Sequence, residues 1–167
     1  MVPDSFTGYF TAAATAAGAL IGLLFVVASL RPEAVMGTGA SARARAVAGS
    51  AFTALVNSFF VSLIALIPET NLGYTAVIMA VISLYGTFRL HRGLGKGEPA
   101  VLQLTLALAA YLTQLVTGTL LILSPGHQSL VYVIAYVLVA SFAAALTRAW
   151  SLMQGRHTPK PPETRNA

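Results

Sequence analysis

Four long stretches of this 167-residue chain carry no charge, and that restricts what it can fold into more than any motif does. They run Ser5 to Leu30, Ala46 to Pro68, Thr70 to Phe88 and Pro99 to Thr147. A charge near the centre of a bilayer costs about 2.5 to 3.5 kcal/mol even on lenient insertion scales, so such stretches are candidate membrane spans. Crossing a hydrocarbon core of about 30 Å takes about 20 helical residues. The first three stretches suit one span each. The fourth is too long for one, and Ser124-Pro125-Gly126-His127-Gln128 interrupts it with backbone angles a helix cannot continue through. The expectation is an all-α integral membrane protein with five transmembrane helices, at about 6–30, 46–67, 72–90, 100–123 and 129–150. Residues 1–150 then form the membrane domain. Residues 151–167 form a cytoplasmic tail, polar and extended from Thr158 with Pro159, Pro161 and Pro162, and expected to be disordered there.

Composition agrees. Only 9% of residues are charged, against about a quarter in a soluble domain, and the mean hydropathy is +0.76. Lys and Arg number 10 against 5 Asp and Glu. That is too little charge for a nucleic-acid surface, which clusters its cations on one exposed face. The cations read instead as topology, because cytoplasmic loops hold excess Lys and Arg. Arg31, Arg43 and Arg45 follow helix 1; Arg89, Arg92 and Lys96 follow helix 3; Arg148, Arg156, Lys160 and Arg165 follow helix 5. Five spans put every one of them on the same side, giving an N-terminus outside and a C-terminus inside. Two antiparallel hairpins, helices 2–3 and 4–5, are then expected around a first helix rich in small residues. Each hairpin ends in a threonine closely followed by an arginine, Thr87-Phe88-Arg89 and Thr147-Arg148, which raises the idea of a parallel internal repeat. With no cation before the first apolar run, a cleaved signal peptide is not expected.

Within the spans two patterns stand out. On helix 1, Gly8, Thr11, Thr15, Gly18 and Gly22 recur every three or four residues and form one stripe. Small residues let helix backbones approach closely in lipid, so this stripe reads either as a homo-oligomer seam or as the centre of the chain's own bundle. Helix 2 carries Ser50, Thr53 and Asn57 as one polar stripe, with Ser58 and Ser62 beside it, and helix 4 carries Gln103, Gln114 and Thr117 as another, both expected to face the protein interior. An amide in hydrocarbon needs hydrogen-bond partners, so these residues are expected to bond between helices, or else to line a water pathway or a small pocket.

Reactive chemistry is sparse. No Cys is present and no Asp, Glu, Lys or His lies in the middle of a span. His91, His127 and His157 fall in separate loops or the tail without metal-ligand spacing. The loop Gly93-Leu94-Gly95-Lys96-Gly97 lacks the Gly-Lys-Ser/Thr of a phosphate cradle. The expectation is a protein with no cofactor, no metal and no enzymatic activity, working through helix–helix assembly or regulation with itself or other membrane proteins. The alternative is a small channel or carrier lined by Asn57, Gln103 and Gln114. Tyr132, Tyr136 and Trp150 read as interfacial anchors. Arg43, Arg45, Arg89, Arg92, Lys96 and Arg148 are expected to touch anionic headgroups on the cytoplasmic face, worth about 1 kcal/mol each.

The stretch from Gly22 to Glu33 (Gly-Leu-Leu-Phe-Val-Val-Ala-Ser-Leu-Arg-Pro-Glu), with an arginine-flanked second helix and an Ile67-Pro68 ending, resembles a group of uncharacterised small membrane proteins of actinobacterial type. The preference for Arg and Ala matches a GC-rich genome. This resemblance covers mainly the first seventy residues; it implies a bacterial plasma membrane and carries no activity.

Overall fold

The computed structural model describes residues 2–30, 42–92 and 99–154, all in helices and short turns. A single 3-10 turn, Asp4–Phe6, leads into α1 (Thr7–Leu30); α2 (Ala42–Ala65), α3 (Leu72–Arg92), α4 (Pro99–Leu123) and α5 (Gln128–Gln154) follow. All five contain a stretch long and apolar enough to cross a membrane. The expected spans fall within four residues of these bounds at every end. The tail beyond Gln154, Arg31 and Lys96 lie outside the described residues.

Local chemistry fixes the two tight turns. The last turn of α2 shortens to three-residue spacing, with Leu66 N–H donating to the Leu63 carbonyl at 3.3 Å and Ile67 to Ile64 at 3.0 Å. Pro68 cannot extend the helix, and Glu69 turns the chain at φ 62°, in the left-handed region. Asn71 then opens α3, its Oδ1 accepting the Gly73 N–H at 2.9 Å. Between α4 and α5, Pro125 and Gly126 make the turn closed by His127 N–H to the Ser124 carbonyl at 3.4 Å.

Both turns and the N-terminus share one end of the molecule: Val2, Pro3 and Asp4 border the same cleft as Pro125, Gly126 and His127, and a Cβ on Gly73, just after the α2–α3 turn, would meet Ile122 at the end of α4. The opposite end, where α2 and α4 begin and α3 and α5 finish, holds the described arginines and is called the arginine end below.

The helices are not arranged as expected. α2, α3, α4 and α5 form a closed square in which α3 packs most extensively on α4, α2 touches α3 and α5, and α2 reaches α4 across the diagonal. α1 packs on the outside of α2 and touches α5 near the turn end, where the Tyr9 hydroxyl donates to the Ala135 carbonyl at 2.7 Å and Phe6 meets Tyr132 edge-on. The hairpins therefore do not surround the first helix: α2 is central and α1 is a buttress. The reason is side-chain volume. The inner face of α1 buries only Ala13, Ala14 and Ala17 below Phe6 and Phe10, with Leu20 and Ile21 partly buried beyond them, enough to lie against one helix, whereas α2 buries a wide arc, from Ala51 and Ala54 to Asn57, Ser58, Val61 and Ser62, and leaves only one side, with Phe52, Phe60 and Leu63, exposed.

The interior is small and partly polar, and the exterior is large and apolar. Leu23, Phe25, Ile78, Ile82, Leu106, Val116 and Val139 are all exposed. In water such a surface is an aggregation hazard; in hydrocarbon it is the solvated face.

Candidate functional site: a buried polar core

Two of the predicted polar residues meet. The Asn57 side-chain nitrogen donates to Gln114 Oε1 at 2.9 Å, and the Gln114 nitrogen donates back to Asn57 Oδ1 at 3.0 Å. Gln114 also reaches the Ala76 carbonyl on α3 at 3.1 Å. Both amides are completely buried. One reciprocal pair thus joins α2 to α4 across the diagonal and adds α3 as a third partner, as expected for amides that must satisfy themselves where there is no water.

The remaining members of the stripes behave differently. Ser50 and Thr53 turn their hydroxyls onto their own helix, to the Val47 carbonyl at 3.0 Å and the Gly49 carbonyl at 2.9 Å. Thr117 is buried. Gln103 is only half-buried, and it is its backbone carbonyl that takes part: Arg148 Nη2 donates to it at 2.9 Å.

Arg148 is the main correction to the sequence reading. Expected among headgroups, it is 3% exposed and lies inside the bundle, donating to the Gln103 carbonyl on α4 and, at 3.5 Å, to the Ser50 carbonyl on α2. The signal was available as periodicity. Ile134, Leu138, Ser141 and Ala145 are the buried line of α5, and a further step of three lands on Arg148. Arg89 and Arg92, by contrast, are exposed, and so is Arg45; the side chain of Arg43 lies outside the described residues. The two hairpin endings consequently differ: in the first the threonine is buried and the arginine exposed, in the second the reverse.

The helix 1 stripe points outward. Gly8, Thr11, Thr15 and Gly22 are exposed, and a Cβ added to Gly8 or Gly22 would meet nothing within 4 Å. Gly18 alone turns inward, where a Cβ would touch the Phe59 ring at 3.5 Å. The close glycine contact in this fold lies elsewhere. A Cβ on Gly73 would sit 2.6 Å from the Gly118 carbonyl oxygen, and one on Gly118 would sit 3.0 Å from the Ala76 Cβ. These two glycines, on different helices, let α3 and α4 make their extensive contact.

No group of three or more potential metal-ligating side chains occurs among the described residues. Comparison with protein-family models, curated proteins and solved structures yields no match to this chain.

Proposed function

We propose that the chain is a non-enzymatic multi-pass protein of a bacterial plasma membrane, with its N-terminus outside and its C-terminus inside, that acts through helix–helix assembly as a homo-oligomer. The observation that carries this reading is the outward face of α1. It is a run of Gly8, Thr11, Thr15 and Gly22 with Ala12, Ala16 and Ala19 between them, all exposed, on the helix with the smallest buried share of the five. The other helices present exposed bulky residues such as Ile78, Leu106 and Val139 among their small ones, whereas this unbroken small face leaves backbone within reach of a neighbour, the geometry that promotes association in lipid. The orientation is supported by the positive-inside bias of the loops, and the bacterial membrane by the resemblance alone. Other membrane proteins could use the same face.

A channel or carrier lined by Asn57, Gln103 and Gln114 is the competing reading. It draws little support from the amide pair, whose two members bond each other with no accessible surface left between them. A pathway through that level requires the pair to separate.

The test is a mass measurement of the protein in mild detergent, paired with Gly22→Leu. The reading expects an oligomer that falls to a monomer of unchanged thermal stability in the variant. A parent that is monomeric, or a variant of unchanged mass, would count against it. Ion or solute flux in liposomes from the parent, reduced by Asn57→Leu, would favour the channel instead.

A further inference from the structure

The register between α2 and α3 is readable from their glycines. A Cβ on Gly86 would meet Thr53 Oγ1 at 3.8 Å, and one on Gly49 would meet the Leu90 side chain at 3.2 Å. Positions 53 and 49 thus oppose 86 and 90. Gly86 and Leu90 mark the side of α3 that meets α2, and the outward side is free of that contact. On α3 itself Tyr85, Phe88, Arg89 and Arg92 are all exposed and fall at the i, i+3, i+4, i+7 spacing of a single helix face. The stripe changes character along its length, with two aromatic rings and then two guanidiniums. Arg92 lies 4.4 Å from the centroid of the Phe88 ring, a cation–π contact that fixes its guanidinium at the apolar boundary.

We propose that the arginine end of α3 is a seat for the headgroup of an anionic phospholipid. Arg89 and Arg92 hold the phosphodiester, and the acyl chains run along the exposed Ile82 and Tyr85 side of α3. The guanidinium fork suits a phosphate oxygen pair, and the apolar stripe continuous with it selects a lipid over a free phosphate. Arg148 takes no part, because it is committed to carbonyls inside the bundle. The inference deepens the membrane reading and stands or falls separately from assembly, which concerns α1.

The test is native mass spectrometry of the full chain in zwitterionic detergent, titrated with phosphatidylglycerol, phosphatidylcholine and inorganic phosphate. The parent should retain phosphatidylglycerol in preference to phosphatidylcholine. At about fivefold for each arginine near the membrane surface, Arg89→Gln with Arg92→Gln should weaken that binding about 25-fold. Arg89→Lys with Arg92→Lys keeps the charge but loses the guanidinium fork, so binding should fall by less than in the glutamine pair without being restored in full, and thermal melts in phosphatidylcholine should show both double variants folded. Lys160→Gln with Arg165→Gln removes the same charge from the tail and should leave binding intact. Equal loss from the tail variant would reduce the seat to net charge. Displacement of the lipid by millimolar inorganic phosphate would make it a soluble-anion site, and no preference between the two lipids would overturn it outright.

Discussion

Two polar contacts tie the square of helices together at the residue scale, and they call for different substitutions. Asn57 and Gln114 are neutral and reciprocal, so removing either strands the other in a dry interior. Asn57→Leu and Gln114→Leu should each lower stability by about 1 to 2 kcal/mol, and the double variant should cost less than their sum by about 0.6 to 1.7 kcal/mol. Strict additivity in chemical or thermal unfolding would mean the amides do not meet. At Arg148 the charge matters as much as the bonds. Lys keeps the charge but lacks the fork that reaches two carbonyls on two helices, whereas Met keeps the volume and drops the charge. Arg148→Lys should therefore destabilise by about 1 to 3 kcal/mol and more than Arg148→Met; near-neutral behaviour of both would place the side chain at the interface. The amide pair was legible because Asn57 and Gln114 are the wrong residues for lipid and had to find something. Arg148 is harder to read because its position near a helix end suits snorkelling equally well, and only the periodicity of α5 separates the two fates.

At the scale of the elements, the decisive glycines are those whose partners lie on another helix. Gly73 and Gly118 approach so closely that an added methyl would strike a backbone oxygen at 2.6 Å, and backbone cannot yield as a side-chain tip can. Gly73→Ala should cost about 1 to 3 kcal/mol of protomer stability, read as a lowered melting temperature. Gly22→Ala, with open space around the new methyl, should leave it unchanged. The reverse ranking would mean that α1, not the α3–α4 pair, holds the close contact. Sequence spacing pointed to Gly18 and Gly22 because a repeat of four along one helix is visible by inspection. A pair of single glycines on separate helices shows no spacing at all, and only the fold brings them together. Helix bounds, in contrast, were nearly complete in the sequence, because Pro68, Asn71, Pro125 and Gly126 stop and start helices by local chemistry alone.

For the molecule as a whole, the alternation of charge-free runs and arginine-rich loops prescribes five spans, yet it is silent on which helix sits in the middle. That choice depends on volume: α2 carries alanine, serine and asparagine over a wide arc that other helices can pack against, while α1 has one alanine face to bury and one to spare. The proposed orientation is checked by single cysteines in this Cys-free chain. Glu69→Cys and His127→Cys should react with an impermeant thiol reagent added to intact cells, and Gly95→Cys should not. Labelling at Gly95 would invert the topology. Assembly through the spare face of α1 is tested most directly by oxidative cross-linking of single cysteines in native membranes, since a disulfide forms only where Cβ atoms come within about 4.5 Å. Thr15→Cys or Gly22→Cys should yield a covalent dimer, while Ile78→Cys and Tyr136→Cys, exposed on α3 and α5, should not. Dimers from Ile78 or Tyr136 with none from α1 would contradict the assignment of that face.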